Sequence, residues 1–487
     1  MQPTFSSAEK KLLIISVLCI LGILALETLF WGSRGFFYDE AWVANSINEP
    51  RIEKMLFYEK VAQNTPVGML LLLRGLVAIF GDQEWVYRLP ALGATLLCIP
   101  ILILLGKQLV LSSQTIRYAV LLFTLHPLVL QYSQEAKQYP FDMLSILGIF
   151  SLYLAYQHKP TSERSTWFIG GSIFSFFFSY VTPFALGGIA CKETYTWYRT
   201  KKFPTLPVTQ LIMSTLSIGI IYLTAYHPNH TSALHYLWIL NGGFPTYTSW
   251  YEPLGFIIKS FYRLAGSFSH TFVGPVLLPL IILGIYRLGK NACYNQYVLG
   301  VCATMIGTVL IGAYPFSQNV MNIRVQLFLL PLLCIYVGEA LASGERNIKH
   351  PTLFFWCVLI GMCGITAYAL SIPTYGRTND MSYVFNEYLK NYEGEETLIA
   401  SALRPEFEHY ISDPKKTNNV SLMISRSAKE YGPWIDDYIR NHTNSSFWFI
   451  PSPASAEPRT AVNKFKANCT IIYEYHHLKS ELYYIRC

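Results

Sequence analysis

Residues 66–81 read Pro-Val-Gly-Met-Leu-Leu-Leu-Leu-Arg-Gly-Leu-Val-Ala-Ile-Phe-Gly, and whether this run crosses a bilayer decides the topology of everything after it. As a helix it would be about 24 Å long, short of the roughly 30 Å of hydrocarbon in a membrane. Arg74 falls at its middle, where a charge costs several kcal/mol. The run is therefore read as a re-entrant or partly inserted helix that does not cross.

On its N-terminal side, Leu12 to Trp31 is about 20 residues of apolar sequence after Lys10-Lys11, enough to cross once with the N-terminus in the cytoplasm. No small-residue cleavage site follows, so the span reads as a retained signal anchor. Tyr38-Asp39-Glu40 then lies outside, in a polar, aromatic stretch from Gly32 to Thr65. Within that stretch Trp42, Val43, Ile47, Met55, Leu56 and Val61 suggest short helices along the interface.

On its C-terminal side, apolar runs recur at 85–108, 115–131, 140–157, 166–182, 184–199, 208–226, 272–288, 295–314, 324–342 and 352–371. With the first span they make about eleven crossings. Lys107, Arg117, Lys159, Arg164, Arg199, Lys201, Lys202, Arg287, Lys290, Arg346 and Lys349 then all fall in the cytoplasm. Counting 66–81 as a crossing puts several of them on the wrong side. The 166–199 stretch, with Thr182-Pro183 and Lys192-Glu193, reads either as two spans or as one long kinked helix.

Composition agrees with a multi-pass α-helical membrane protein: of 487 residues, 52% are hydrophobic and only 14% charged, too few to coat a soluble globule. The net charge of +7 is scattered in short loops with no stripe of interleaved aromatics, which excludes a nucleic-acid partner. Eight of the ten cysteines lie in or beside apolar runs, and no CxxC pair suggests metal or redox work.

Beyond Pro373 the pattern turns polar and alternating. Asp380 can cap a helix whose Met381, Val384, Phe385, Tyr388 and Leu389 share a face, stopped by Gly394. Strand-like runs follow at Thr397–Ala400, Val420–Ile424, Phe447–Ile450, Thr470–Tyr475 and Leu482–Ile485, with helical segments between the first four. Two domains are expected: a transmembrane domain over 1–373 and a small extracytoplasmic α/β domain over 374–487 that closes with a hairpin. A hairpin centred on Leu478 would set Cys469 opposite Cys487, as a disulfide if the compartment is oxidising and as two thiols otherwise.

Four features then collect on the non-cytoplasmic face: Asp39-Glu40; Thr65-Pro66-Val67-Gly68; Glu84-Trp85-Val86-Tyr87-Arg88-Leu89-Pro90; and Tyr132-Ser133-Gln134-Glu135-Ala136-Lys137-Gln138-Tyr139. A fifth, Tyr314-Pro315-Phe316 followed by Arg324 and Leu327-Phe328-Leu329-Leu330-Pro331, comes late in the chain. Their order resembles that of the C-type (GT-C) membrane glycosyltransferases, in particular the bacterial branch similar to protein O-mannosyltransferases and lipid A aminoarabinose transferases. That branch shows a Tyr-Asp-Glu in the first external loop, a His-Pro-Pro, a Glu-x-x-x-Arg-Leu-Pro, a Ser-(Gln/Arg)-Glu-Ala-Arg-x-Tyr and a late Tyr-Pro-Phe. The likeness runs to about residue 340. It departs at Thr65-Pro66-Val67, where no histidine stands, and at Lys137, which keeps the charge of the usual arginine without its bidentate fork. The segment before Arg324 is also longer.

The resemblance implies a polyprenyl-phosphate-linked sugar donor and a lipid, polysaccharide or protein acceptor, at the outer face of a bacterial cytoplasmic membrane. Direct displacement at the anomeric carbon needs a base for the acceptor proton, and Asp39 is the candidate, with Glu40 positioning the acceptor or bracing an arginine. Arg88, Lys137 and Arg324 are candidate cations for the departing phosphate. Glu84, Glu135, Tyr139 and Tyr314 stand in support. The family is not uniform about metals; Asp39 and Glu135 could together hold a divalent cation, Mg or Mn. The aromatic loop from His227 to His270 would cover the sugar or form an interfacial belt. The competing class is a transporter or flippase of a lipid-linked sugar, which should carry ionisable residues near the midplane and an internal repeat.

Overall fold

The computed structural model describes residues 5–31, 35–56, 65–201, 239, 242–266, 274–312, 314–316, 320–371, 381–400, 403–411, 420–423, 428–443, 445–451, 457–477 and 480–487. Contacts divide the chain into two units, Met1–Leu26 with Leu56–Ser371, and Glu27–Met55 with Ile372–Cys487.

The first unit is helical because its apolar runs have no water to satisfy backbone groups other than through their own turns. Its helices are α1 (Ser7–Trp31), then, after α2 (Tyr38–Ile47) and α3 (Ile52–Leu56), which go with the second unit, α4 (Val67–Phe80), α5 (Glu84–Gln108), α6 (Ser113–Thr124), α7 (Pro127–Ser133), α8 (Tyr139–His158), α9 (Ser162–Phe178) and α10 (Thr182–Thr200). These are followed by α11 (Glu252–Gly266), α12 (Gly274–Arg287), α13 (Ala292–Leu310), a 3₁₀ helix (Val320–Leu329), α14 (Leu330–Asn347) and α15 (Pro351–Ser371). Among the described residues six stretches are long and apolar enough to cross a membrane: Ser7–Leu29, Glu84–Gln108, Tyr139–His158, Ala292–Leu310, Ile323–Asn347 and Pro351–Ala369. The deciding stretch forms α4, apolar but only 14 residues long.

The expectations are modified in three places. The 115–131 run is broken: α6 stops at Thr124, His126 caps α7 by accepting from the Leu128 N–H at 3.2 Å, and Pro127 starts the new helix. Proline cannot continue the preceding turn, which is the physical reason for the break. Of the two readings of 166–199, the two-helix one holds, with the break at Ser179–Val181. The late span begins as a 3₁₀ helix before becoming α14. The second half of the expected 227–270 loop is a helix, α11, whose Phe256, Ser260 and Leu264 recur every four residues on its buried side. The run 208–226, Lys202, and the aromatics and histidines before residue 239 lie outside the described residues.

Helices of this unit approach closely where small residues allow it. A Cβ on Gly188 would sit 2.8 Å from the Tyr297 carbonyl, and Gly300 lies against Gly188 in turn, so α10 and α13 touch backbone to backbone. Buried tyrosines are satisfied by main-chain carbonyls: Tyr297 donates to Ile146 at 2.9 Å and Tyr294 to Leu332 at 2.7 Å. Lys192, Glu193, Tyr153 and Gln157 form a closed hydrogen-bonded cluster between α8 and α10.

The second unit holds α2 (Tyr38–Ile47), α3 (Ile52–Leu56), α16 (Ser382–Asn391), β1 (Glu396–Ala400), α17 (Arg404–Tyr410), β2 (Val420–Met423), α18 (Ala428–Asn441), β3 (Ser446–Ile450), α19 (Glu457–Asn468), β4 (Thr470–His477) and β5 (Ser480–Arg486). The strand order is β2-β1-β3-β5-β4. β1 pairs in parallel with β2 and β3, while β5 runs antiparallel to both β3 and β4. Helices cover both faces, which gives two apolar layers: Val384, Phe385, Tyr388 and Trp448 in one, Ile435, Phe447, Phe449 and Phe465 in the other. Met381 takes the N-cap of α16; Asp380 lies outside the described residues. The hairpin register pairs Thr470 with Arg486 and His477 with Ser480, and one step beyond it Cys469 and Cys487 form a disulfide.

Candidate active site

In the second unit the acids open α2. Phe37 enters in extended conformation, its carbonyl accepts from the N–H groups of Glu40 at 2.8 Å and Ala41 at 3.0 Å, and Asp39 and Glu40 fill the first turn. Carboxylates there are favoured by the positive end of the helix dipole. The two acids differ in environment: Glu40 is fully enclosed, whereas Asp39 is half-buried. Ala41, Trp42, Val43, Ala44, Ser46 and Ile47 are also enclosed, so α2 is buried on nearly all sides. Of the pair, Asp39 is therefore the more accessible to solvent and Glu40 the one held inside.

In the first unit the chemistry-bearing residues gather on the turn between α7 and α8. Tight turns usually lie in water, yet here Glu135, Ala136 and Lys137 are only 2%, 0% and 7% exposed. The Lys137 N–H donates to the Glu135 carbonyl at 2.7 Å, and the Glu135 carboxylate accepts from Gln131 at 3.2 Å. Just past the turn, Tyr139 packs edge-on against Tyr132 at 5.2 Å and presents its ring to the Arg324 guanidinium at 5.9 Å, within the range of a cation–π contact. The Tyr314 hydroxyl donates to the carbonyl of Val325, next to Arg324, at 2.8 Å, and its ring meets Phe184 edge-on at 5.0 Å. Tyr139, Arg324 and Tyr314 are therefore brought together.

Glu84 and Arg88 stand on the first turns of α5, four residues apart on one face. That helix packs along α7 and α8, the helices flanking the turn. Thr65 and Pro66 are buried at the start of α4. Gly68 has a packing role: a Cβ there would lie 2.6 Å from the Phe177 carbonyl, so only glycine lets α4 reach α9.

The Tyr-Pro-Phe segment also anchors the aromatic loop. The Phe316 N–H donates to the Gly243 carbonyl at 2.8 Å, and the buried Phe316 ring meets Phe261 of α11 at 5.2 Å. Tyr247, Trp250 and Tyr251 remain exposed beside it. Hydrogen bonds from Thr248 and Thr246 hold the Glu252 carboxyl down at about 2, fixing the start of α11.

Two features escaped the sequence reading. Asp142, on the first turn of α8, is buried and accepts from the Ser179 hydroxyl at 2.7 Å. An acid three residues after Tyr139 in an apolar run was the signal available. The second feature is the set of contacts that α2 makes with α17, for which the sequence carries no local sign. Among the described residues no group of three or more His, Cys, Asp or Glu side chains is placed to hold a metal ion.

No protein-family model matches the chain, and no curated protein matches its sequence. Solved structures do match. The crystal structure of ArnT from Cupriavidus metallidurans bound to undecaprenyl phosphate is similar with a TM-score of 0.57 at 12% identity, over 97% of this chain and 97% of that one. The apo state of the same protein gives 0.56 at 11% identity, over 98% of each chain. The apo Archaeoglobus fulgidus oligosaccharyltransferase gives 0.46 at 10% identity, over 91% of this chain and 69% of that one. The agreement with ArnT, over nearly the whole of both chains, is an agreement of fold: the chain is a multi-pass α-helical membrane protein with the GT-C fold.

Proposed function

We propose that this protein is an inverting glycosyltransferase that moves a hexose or pentose from a polyprenyl-phosphate donor to a lipid, polysaccharide or protein acceptor on the outer face of a bacterial cytoplasmic membrane. The observation that carries the proposal is the buried turn Glu135–Lys137 with Arg324 against Tyr139, in a chain whose fold is that of a protein crystallised with undecaprenyl phosphate. A cation screened from water acts on developing negative charge more strongly than one in solvent.

In this reading the acceptor oxygen or nitrogen attacks the anomeric carbon as the bond from that carbon to the lipid phosphate oxygen breaks. The acceptor proton passes to Asp39, and a single displacement inverts the configuration. Negative charge grows on the phosphate as it leaves, so Arg88, Lys137 and Arg324 stabilise the transition state more than the ground state. Glu40, enclosed in α2, keeps the acid turn in shape. The Cys469–Cys487 disulfide supports an oxidising, non-cytoplasmic compartment for the sheet. A requirement for Mg or Mn is a separate proposal: EDTA treatment that leaves transfer intact removes it.

The test is Asp39→Asn. Transfer should fall by about a thousandfold or more, while native mass spectrometry still finds undecaprenyl phosphate bound. Wild-type transfer in that variant would take Asp39 out of the mechanism. A protein that moves lipid-linked sugar between leaflets with no sugar transferred would instead be the transporter.

A further inference from the structure

The acid-bearing helix does not fix its own entry. Phe37, its N-cap, offers no side-chain cap. The preceding residue is held from the far end of the chain: the Phe36 N–H donates to the Tyr410 hydroxyl oxygen at 2.6 Å, across 374 positions of sequence. The Phe36 ring, completely buried, meets His409 edge-on at 4.8 Å. Tyr410 is itself seated, with its ring 6.0 Å from Phe385 of α16, which in turn packs against Phe407 at 5.8 Å. From α16, Tyr388 continues the contacts to Trp448 in β3 at 5.8 Å. Asp39 follows Phe36 by three residues, so the angle at which the chain enters α2 sets where its carboxylate points. All of these residues belong to one compact unit, in which Glu27–Met55 is grouped with the C-terminal sheet.

We propose that α17 of the sheet layer is the seat of the acidic turn, with Tyr410 and His409 as positioning residues for Asp39. The C-terminal layer then sets the position of the base by pinning Phe36. The functional half of this inference rests on Asp39 acting as the base. A displacement of about 1 Å in such a group costs on the order of a hundredfold in rate.

Hydrogen–deuterium exchange of the purified full-length protein tests the seating without any substrate. Tyr410→Phe keeps the ring and removes the accepting hydroxyl. Exchange in peptides covering residues 36–48 should rise about tenfold, the expected effect of losing one good hydrogen bond, with residues 396–400 and 446–450 unchanged. His409→Ala should do the same to a smaller extent. Unchanged exchange over 36–48 in both variants overturns the proposal, as does a rise spread equally over the strands, which would mark a general loosening.

The consequence for catalysis is read in membranes of the native host, on the envelope glycan product that disappears when the gene is deleted. Tyr410→Phe should lower the maximal rate of its formation about tenfold at unchanged donor KM, and Asp39→Asn should abolish it. Product retained by Asp39→Asn sinks the mechanism and leaves the exchange result standing. Product lost in Asp39→Asn but at wild-type rate in Tyr410→Phe sinks the positioning role alone.

Discussion

The helical unit and the sheet unit treat charge in opposite ways. On the sheet unit, Lys464 pairs with Asp436 at 2.6 Å, Lys466 with Glu474 at 2.8 Å and Arg440 with Asp437 at 3.4 Å, all on the surface. Such pairs are worth about 0–1 kcal/mol and serve mainly solubility. In the helical unit Glu135, Lys137 and Asp142 are buried, in an environment where an unsatisfied charge costs several kcal/mol. The exceptions on the sheet side teach the same lesson: Glu40 and Glu406, both enclosed, lie on α2 and α17, the two helices that pack together. Under the proposed function, the buried charge of the Glu135–Lys137 turn acts on the donor, and the surface pairs do not.

The contrast is open to direct attack. If the proposed mechanism holds, Lys137→Met should lower transfer by about a hundred- to a thousandfold, since a buried cation beside the departing phosphate contributes most in the transition state. Lys464→Met, removing a surface cation, should stay within about twofold in the same assay. Equal losses in the two would end the distinction. Cys469→Ser opens the terminal hairpin and should destabilise the sheet by about 2–4 kcal/mol, read as faster hydrogen exchange across β4 and β5 with the exchange of α8 unaltered.

A smaller effect is expected at the α4–α9 contact. Gly68→Val puts carbon against the Phe177 carbonyl and should lower stability by about 1–3 kcal/mol, visible as a reduced Tm of the detergent-solubilised protein. Gly75→Ala on the same helix, where a Cβ would meet nothing, is the control and should leave Tm unchanged. The smallest effect concerns pH. The Lys466 ammonium beside Glu474 holds that carboxyl below its ordinary value. Its contribution is therefore complete above the usual glutamate range and fades as pH falls through the depressed value. The protection of β4 amides, exchange referred to the unstructured chain at the same pH, should fall on acidification in the wild type and respond less in Lys466→Ala; identical profiles would remove the pair from consideration.

Much of the architecture was legible because it follows from periodicity. The short run around Arg74 became a helix of 14 residues, and the five strands lie where alternation put them, each within a residue or two. The pairing of Cys469 with Cys487 followed from counting outward from Leu478. What failed was local chemistry inside long apolar runs. The hydropathy of 115–131 is continuous across His126-Pro127, so a sum over a window conceals a break that a single missing N–H enforces. The helix α11 was hidden because aromatic residues dominate its neighbourhood and its apolar side is narrow.

From the amino-acid sequence alone came the membrane class, the order of the motifs, the sheet at the C-terminus and the residue types able to carry a base and its counter-cations. All of these depend on composition and on spacings within one helix or strand, and such spacings survive without knowledge of what lies across the molecule. Only the tertiary structure decided which charges are buried, that Arg324 faces Tyr139 across 185 positions (324 less 139), and that the Phe36 N–H ends on Tyr410. Contacts between segments far apart in the chain leave no periodic trace, because each partner alone looks like any other aromatic or charged residue; their meaning exists only once packing has brought them together.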